Sequence, residues 1–112
     1  MAKELIEFSK FLEIEKQLEI RIGEVTAVED IPKSSKLIKL TVAFGDETRT
    51  AVTNIKPHLE SNDDLLNRSF PFVTNLKPST MMGVESTAMI MPGEIEKGKI
   101  VRSIGNQGTK LL

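Results

Sequence analysis

From Leu18 onward, apolar residues recur at every second position in short runs broken by turn residues. That pattern confines the chain to folds built from short strands. Leu18, Ile20 and Ile22 alternate with Glu19 and Arg21, as in a half-buried strand. Gly23 interrupts them, and Val25 and Ala27 take up the opposite parity. A glycine at a parity flip predicts a bulge or sharp coil, a device by which small barrels turn corners. Residues 30–36 read as a loop. Leu40, Val42 and Phe44 then alternate with Lys39, Thr41 and Ala43, Gly45-Asp46 signals a turn, and residues 48–55 return as a Thr- and Val-rich strand. The pair is a hairpin.

Ser61 followed by Asp64 predicts a capped helix start before Leu65 and Leu66. Phe70, Phe72 and Val73 begin another strand, whose Pro71 places its first part at an edge. Residues 88–91 are a short apolar run ended by Pro92-Gly93, and residues 99–104 suit one more strand. Residues 106–110 read as loose. The order predicts an all-β protein: a five-stranded Greek-key barrel of the oligonucleotide/oligosaccharide-binding (OB) type, with a short helix between strands 3 and 4. An SH3-like barrel is the rival. Ahead of it, residues 2–16 suit a helix, with Leu5, Phe8 and Leu12 on one face and Phe11 beside them. Such a face packs either on its own domain or on a partner subunit. The divisions are a helical extension over 1–16, the barrel over 17–105 and a tail over 106–112.

At 112 residues, the chain is one domain by the usual scale of roughly 100–200 residues. It contains no Cys, which removes disulfides, thiolate nucleophiles and zinc–sulfur sites. No apolar run is long enough to span a bilayer, and the first residues are mixed and acidic rather than an apolar signal core. A cytoplasmic location is the expectation. His58 is the sole histidine, so no His pair sits at metal spacing, and a lone loop histidine beside Pro57 reads as a solvated surface residue rather than as a nucleophile's base. There is no Gly-rich phosphate loop. Glu60, Asp63 and Asp64 lack the regular spacing and turn glycine of a calcium loop, and helix capping explains them better. Ser34-Ser35-Lys36 lacks the Ser-x-x-Lys spacing. The expectation is a binding protein, not an enzyme, with neither cofactor nor metal.

Net charge is −1, which excludes a uniform polycation. The charges are segregated, however. Acidic residues dominate before position 31 and at 60–64, whereas Lys33, Lys36, Lys39, Arg49 and Lys56 outnumber Asp46 and Glu47 over 31–58. Lys39, Arg49 and Lys56 on a barrel could share a face with Lys77. The alternative is an ordinary solvated surface. The chain has no Trp or Tyr and five Phe, so base-stacking platforms are sparse.

The most distinctive stretch is Asn75-Leu76-Lys77-Pro78-Ser79-Thr80-Met81-Met82-Gly83-Val84-Glu85-Ser86-Thr87-Ala88-Met89. It gathers an amide, an ammonium, a hydroxyl and flexible thioethers. Amides and hydroxyls can read base edges or sugar oxygens, and lysine can hold phosphate, although methionines more often fill cores. The stretch resembles the tRNA-binding domain found at the C-terminus of many methionyl-tRNA synthetases, in free-standing tRNA-binding proteins and in endothelial-monocyte-activating-polypeptide-like synthetase cofactors. That family reads Asn-Leu-Lys-Pro followed by Gly-(Val/Ile)-x-Ser-x-Gly-Met. Asn75 to Pro78, Gly83, Val84, Ser86 and Met89 fit it. Residues 18–23 resemble its opening strand, and Ile31-Pro32 to Lys36-Leu37 its first loop. Departures fall at Ile31, Ser34-Ser35, Asn54 after Thr53, Ser79, Thr80 and Ala88, each removing a charged, polar or small residue of the pattern.

The resemblance implies an OB barrel that recognises tRNA by shape. It further implies a free-standing homodimer, accessory to an aminoacyl-tRNA synthetase, most naturally the methionyl enzyme. The RNA-binding candidates are then Lys36, Lys39, Arg49, Lys56, Asn75, Lys77, Ser86 and Met89. Leu5, Phe8, Phe11 and Leu12 are the dimer-interface candidates. A related branch, the CsaA-type export chaperones, shares the barrel and the dimer but binds unfolded polypeptide, which is the alternative function.

Overall fold

The computed structural model describes residues 3–91, 93–96, 99–101 and 107–110. Helix α1 (Phe8–Gln17) leads into β1 (Ile20–Asp30), β2 (Ile38–Phe44) and β3 (Glu47–Thr53). Two 3-10 turns, Lys56–His58 and Asn62–Asp64, precede β4 (Ser69–Val73). Then come β5 (Ser79–Met81), β6 (Val84–Ser86), β7 (Met89–Ile90), β8 (Gly93–Glu96) and β9 (Lys99–Val101). Positions 102–104 of the expected last strand, and Asn106, lie outside the described residues.

Strands β3-β2-β1-β4-β7 form one curled antiparallel sheet. At its β3 margin it is met by the segment that leads from β6 into β7: Thr87 N–H donates to the Thr50 carbonyl at 3.0 Å, and Val52 N–H to Ser86 Oγ at 3.0 Å. This is the all-β, OB-like architecture that the strand order predicted. Between β3 and β4, the expected short helix is a pair of 3-10 turns. Ser61 and Asp64 make the anticipated capping box on the second one, with Ser61 Oγ accepting Asp63 N–H at 3.1 Å and Asp64 Oδ2 accepting Ser61 N–H at 3.3 Å.

Strand β1 serves both halves of the barrel. Residues 20–24 pair with β4, and residues 24–30 pair with β2, with the register slipping between Val25 and Ala27. The bulge therefore sits at Thr26, not at Gly23, whose ladder partner is Phe70 in unbroken register. Gly23 has a different task. A methyl group there would stand 2.5 Å from Val42 Cγ1 and 2.6 Å from Phe44 Cε1, so the glycine lets β2 side chains close over β1.

Strand β2 alternates strictly, with Ile38, Leu40, Val42 and Phe44 buried. They meet Val25, Ala51, Leu65, Phe70, Phe72 and Ile90 in the core. Phe44 and Phe72 pack edge to face with ring centroids 5.4 Å apart. Burying each large apolar side chain stabilises the fold by about 1.5–3 kcal/mol. Strand β7 pairs only with Phe72 and Val73 of β4, and beyond that ladder Pro71 accepts Met91 N–H on its carbonyl at 2.9 Å. The missing N–H of Pro71 thus falls where the ladder stops.

Residues 107–110 are not loose. Ile22 N–H donates to the Thr109 carbonyl and Gly108 N–H to the Ile22 carbonyl, both at 2.8 Å. Gln107 Nε2 donates to Glu24 Oε1 at 2.6 Å. The segment fills the flank of β1 that β2 leaves open.

The helix is shorter than expected, beginning at Phe8 rather than residue 2. Its N-cap, Glu7, makes no side-chain cap bond, and residues 3–7 are exposed. It buries none of its residues. Phe8 is 73% exposed, Phe11 46% and Leu5 fully exposed, while Leu12 is half-buried.

Candidate nucleic-acid interface

The distinctive stretch folds as a loop followed by the β5–β6 hairpin, paired from Ser79↔Ser86 to Met81↔Val84. Its turn holds two positive φ angles, 51° at Met82 and 81° at Gly83, the pattern of a tight two-residue turn. The hairpin leans on β3, and among the described residues three concavities border that seam. The largest, about 470 Å³, is bordered by Lys39, Thr48, Arg49, Thr50 and the hairpin residues Gly83 to Glu85. A second, about 130 Å³, is bordered by Leu76, Lys77, Met81, Ser86 and Met89. A third, about 290 Å³, is bordered by Leu37, Asn54, Ile55, Met81 and Met89. The seam thus brings together Lys39, Arg49, Lys77, Ser86 and Met89. Lys36 and Lys56 border none of the three, though Lys36 adjoins Leu37 and its carbonyl accepts Lys56 N–H at 3.3 Å.

These side chains divide into two kinds. Lys36, Lys77 and Met89 are exposed and Lys39 partly so. The others are committed to the protein. Ser86 is buried, accepting Val52 N–H and donating to the Ala88 carbonyl at 3.2 Å. Asn75 Oδ1 accepts Glu19 N–H at 2.8 Å, while its Nδ2 donates to the Gln17 carbonyl. Arg49 donates to the Thr74 and Thr87 carbonyls and pairs with Glu47. Lys56 pairs with Asp30 at 3.1 Å. Hydrogen bonds from Lys56 and then Asn62 hold the Asp30 carboxyl below its usual range.

Sequence reasoning overlooked a network beside the seam. Arg21 lies over the Phe44 ring at 5.0 Å and donates to Thr74 Oγ1 at 3.3 Å and to Glu47 Oε2 at 3.1 Å. Hydrogen bonds from Arg49 and Arg21 keep the Glu47 carboxyl below its ordinary range. The Thr74 hydroxyl does the same for Glu19, against a smaller opposing effect of burial and with help from the Arg21 charge. Arg21 stood in the opening-strand pattern, but nothing local linked it to Glu47 or Thr74. Cations that look free in sequence are thereby neutralised.

Residues 20–108 match the family described as "Putative tRNA binding domain". The chain belongs to that family. Its OB barrel, its seam and its Asn-Leu-Lys-Pro loop all lie inside the matched span. Among relatives, the family resemblance is to methionine–tRNA ligases: that of Methanocaldococcus jannaschii is 42% identical over 84 residues, which is 75% of this chain and 13% of the ligase. The chain therefore spans a small part of the length of those relatives. Among solved structures, the MetRS related protein of Pyrococcus horikoshii is 34% identical, with a TM-score of 0.78 over 98% of this chain and 100% of that one. The chaperone CsaA of Bacillus anthracis is 26% identical, with a TM-score of 0.71 over 97% of this chain and 100% of its own. Among the described residues, no helix is long and apolar enough to cross a membrane.

Proposed function

We propose that this protein binds tRNA non-catalytically in the cytoplasm, with Lys39 and Lys77 holding phosphates along the hairpin seam and Lys36 doing so from the adjoining loop. The observation that carries the reading is the exposed Lys77 on the Asn-Leu-Lys-Pro loop, which borders one concavity of the hairpin seam while Lys39 borders another, in a chain of the tRNA-binding family. The three Phe of the barrel (Phe44, Phe70 and Phe72) are buried, so base stacking contributes little and backbone contacts dominate. A site with about three phosphate contacts is weak and salt-sensitive. A second copy of the chain, docked on Leu5, Phe8, Phe11 and Leu12 of the exposed extension, compensates by avidity when both copies engage one RNA. The end-to-end match to the P. horikoshii protein supports an extension that belongs to the unit. Likeness to methionine–tRNA ligases supports a role as accessory to a synthetase of that type. Titrating tRNA by fluorescence anisotropy tests the reading, and binding absent at low salt would sink it.

A second reading has its own observation. The two smaller concavities share the thioethers of Met81 and Met89 with Leu37, Ile55 and Leu76, which suits apolar side chains of an unfolded polypeptide, as in CsaA-type export chaperones. Suppression of the aggregation of an unfolded client, without tRNA binding, would favour it.

A further inference from the structure

The loop that carries Lys77 and the helix that carries the exposed apolar face are joined at one side chain. Gln17 ends α1, and Glu19 immediately precedes β1. Asn75 holds both, accepting Glu19 N–H at 2.8 Å and donating to the Gln17 carbonyl. A primary amide suits this because its acceptor and its donors lie on one rigid plane. Thr74 repeats the grip, its N–H donating to the Glu19 carbonyl at 2.9 Å and its hydroxyl to Glu19 Oε1 at 2.7 Å. Because α1 buries none of its own residues, packing does not set its direction. The junction at Gln17–Glu19 does, and Asn75 fixes that junction to the Lys77 loop two residues away.

We propose that Asn75 is a positioning residue that couples tRNA binding at the Lys77 loop to docking of a second copy on α1. The proposal rests on the tRNA and dimer reading above. A coupling of this kind is reciprocal: the factor by which bound RNA changes the dimer's affinity is the factor by which the dimer changes affinity for RNA. In this account Asn75 does not touch RNA.

The test uses full-length wild type, Asn75→Ala and Asn75→Asp. Three quantities are read: the dimer dissociation constant without RNA, by sedimentation; tRNA affinity, by anisotropy; and hydrogen exchange of the Glu19 amide, by NMR. Asn75→Ala is expected to weaken the dimer and tRNA binding each by about tenfold, within the usual range for coupled sites, and to expose the Glu19 amide. Asn75→Asp keeps the acceptor for Glu19 but turns an acceptor toward the Gln17 carbonyl. It is expected to keep Glu19 protected while still weakening the dimer. A dimer constant equal to wild type in both variants overturns the coupling. So does an Asn75→Ala protein that loses tRNA affinity with the dimer and Glu19 protection intact, because the amide would then touch RNA directly. A wild type that binds no tRNA, or stays monomeric, overturns the functional reading and the coupling with it. A wild type that does both, with Asn75→Ala indistinguishable from it, overturns the coupling alone.

Discussion

Ser86 Oγ accepts the Val52 N–H at 3.0 Å inside the barrel, so a hydroxyl in the family pattern stitches the β5–β6 hairpin to β3. Ser86→Ala would leave that buried N–H without a partner. An unsatisfied buried donor costs about 1–3 kcal/mol. Urea denaturation should show a loss of that size.

Gly23 is expected to resist even the smallest enlargement. The methyl of Gly23→Ala meets Val42 Cγ1 at 2.5 Å and Phe44 Cε1 at 2.6 Å, both on β2 side chains locked in the core. Overpacking of this kind costs about 1–3 kcal/mol. A variant as stable as wild type in thermal unfolding would show that β2 moves aside freely.

Acid should destabilise the seam. The Glu47 carboxyl is held below its ordinary 4.5 by Arg49 and Arg21. A group whose folded pKa lies below its unfolded one adds stability above the unfolded value, and that contribution disappears as pH falls through the folded value. The thermal midpoint of wild type should therefore drop as pH is lowered from 7 through the carboxylate range. Glu47→Gln, less stable at pH 7, should show a flatter profile; parallel profiles would contradict the assignment.

The extension offers a cleaner separation. Because Phe8 is 73% exposed and α1 buries nothing, Phe8→Asp should leave barrel stability within about 0.5 kcal/mol, as surface changes usually do. It should nevertheless convert a dimer to monomers in light scattering. A wild type that is already monomeric would remove the basis for the prediction.

Much of this was legible in the sequence, and the misreadings share a cause. The β2–β3 hairpin was readable because alternation is a local signal, and burial along β2 follows it residue by residue. The parity flip in β1 was readable too, but not its mechanism. Ile22 and Gly23 are both buried in unbroken register; the Ile22 backbone bonds the returning residues 108–109 and Gly23 lies under β2 side chains, partners far away in sequence. The same limit applies to the candidate site. Lys77 was read as a phosphate-holding candidate, and its side chain is exposed. Asn75, Ser86 and Arg49 carry groups that suit RNA, yet those groups serve equally for the protein's own backbone, and the structure spends them there. Residue type names the chemistry available; only the long-range contacts show which partner takes it.

The central claim, a small phosphate-holding face centred on Lys77, is tested most directly by titrating tRNA with wild type and Lys77→Ala at two or more salt concentrations. The account predicts binding at low salt that weakens as salt rises. It also predicts lower affinity for Lys77→Ala, with a log–log salt slope shallower by about one phosphate contact, roughly 0.7–0.9. No binding by wild type at low salt, or a variant with wild-type affinity and slope, would contradict it.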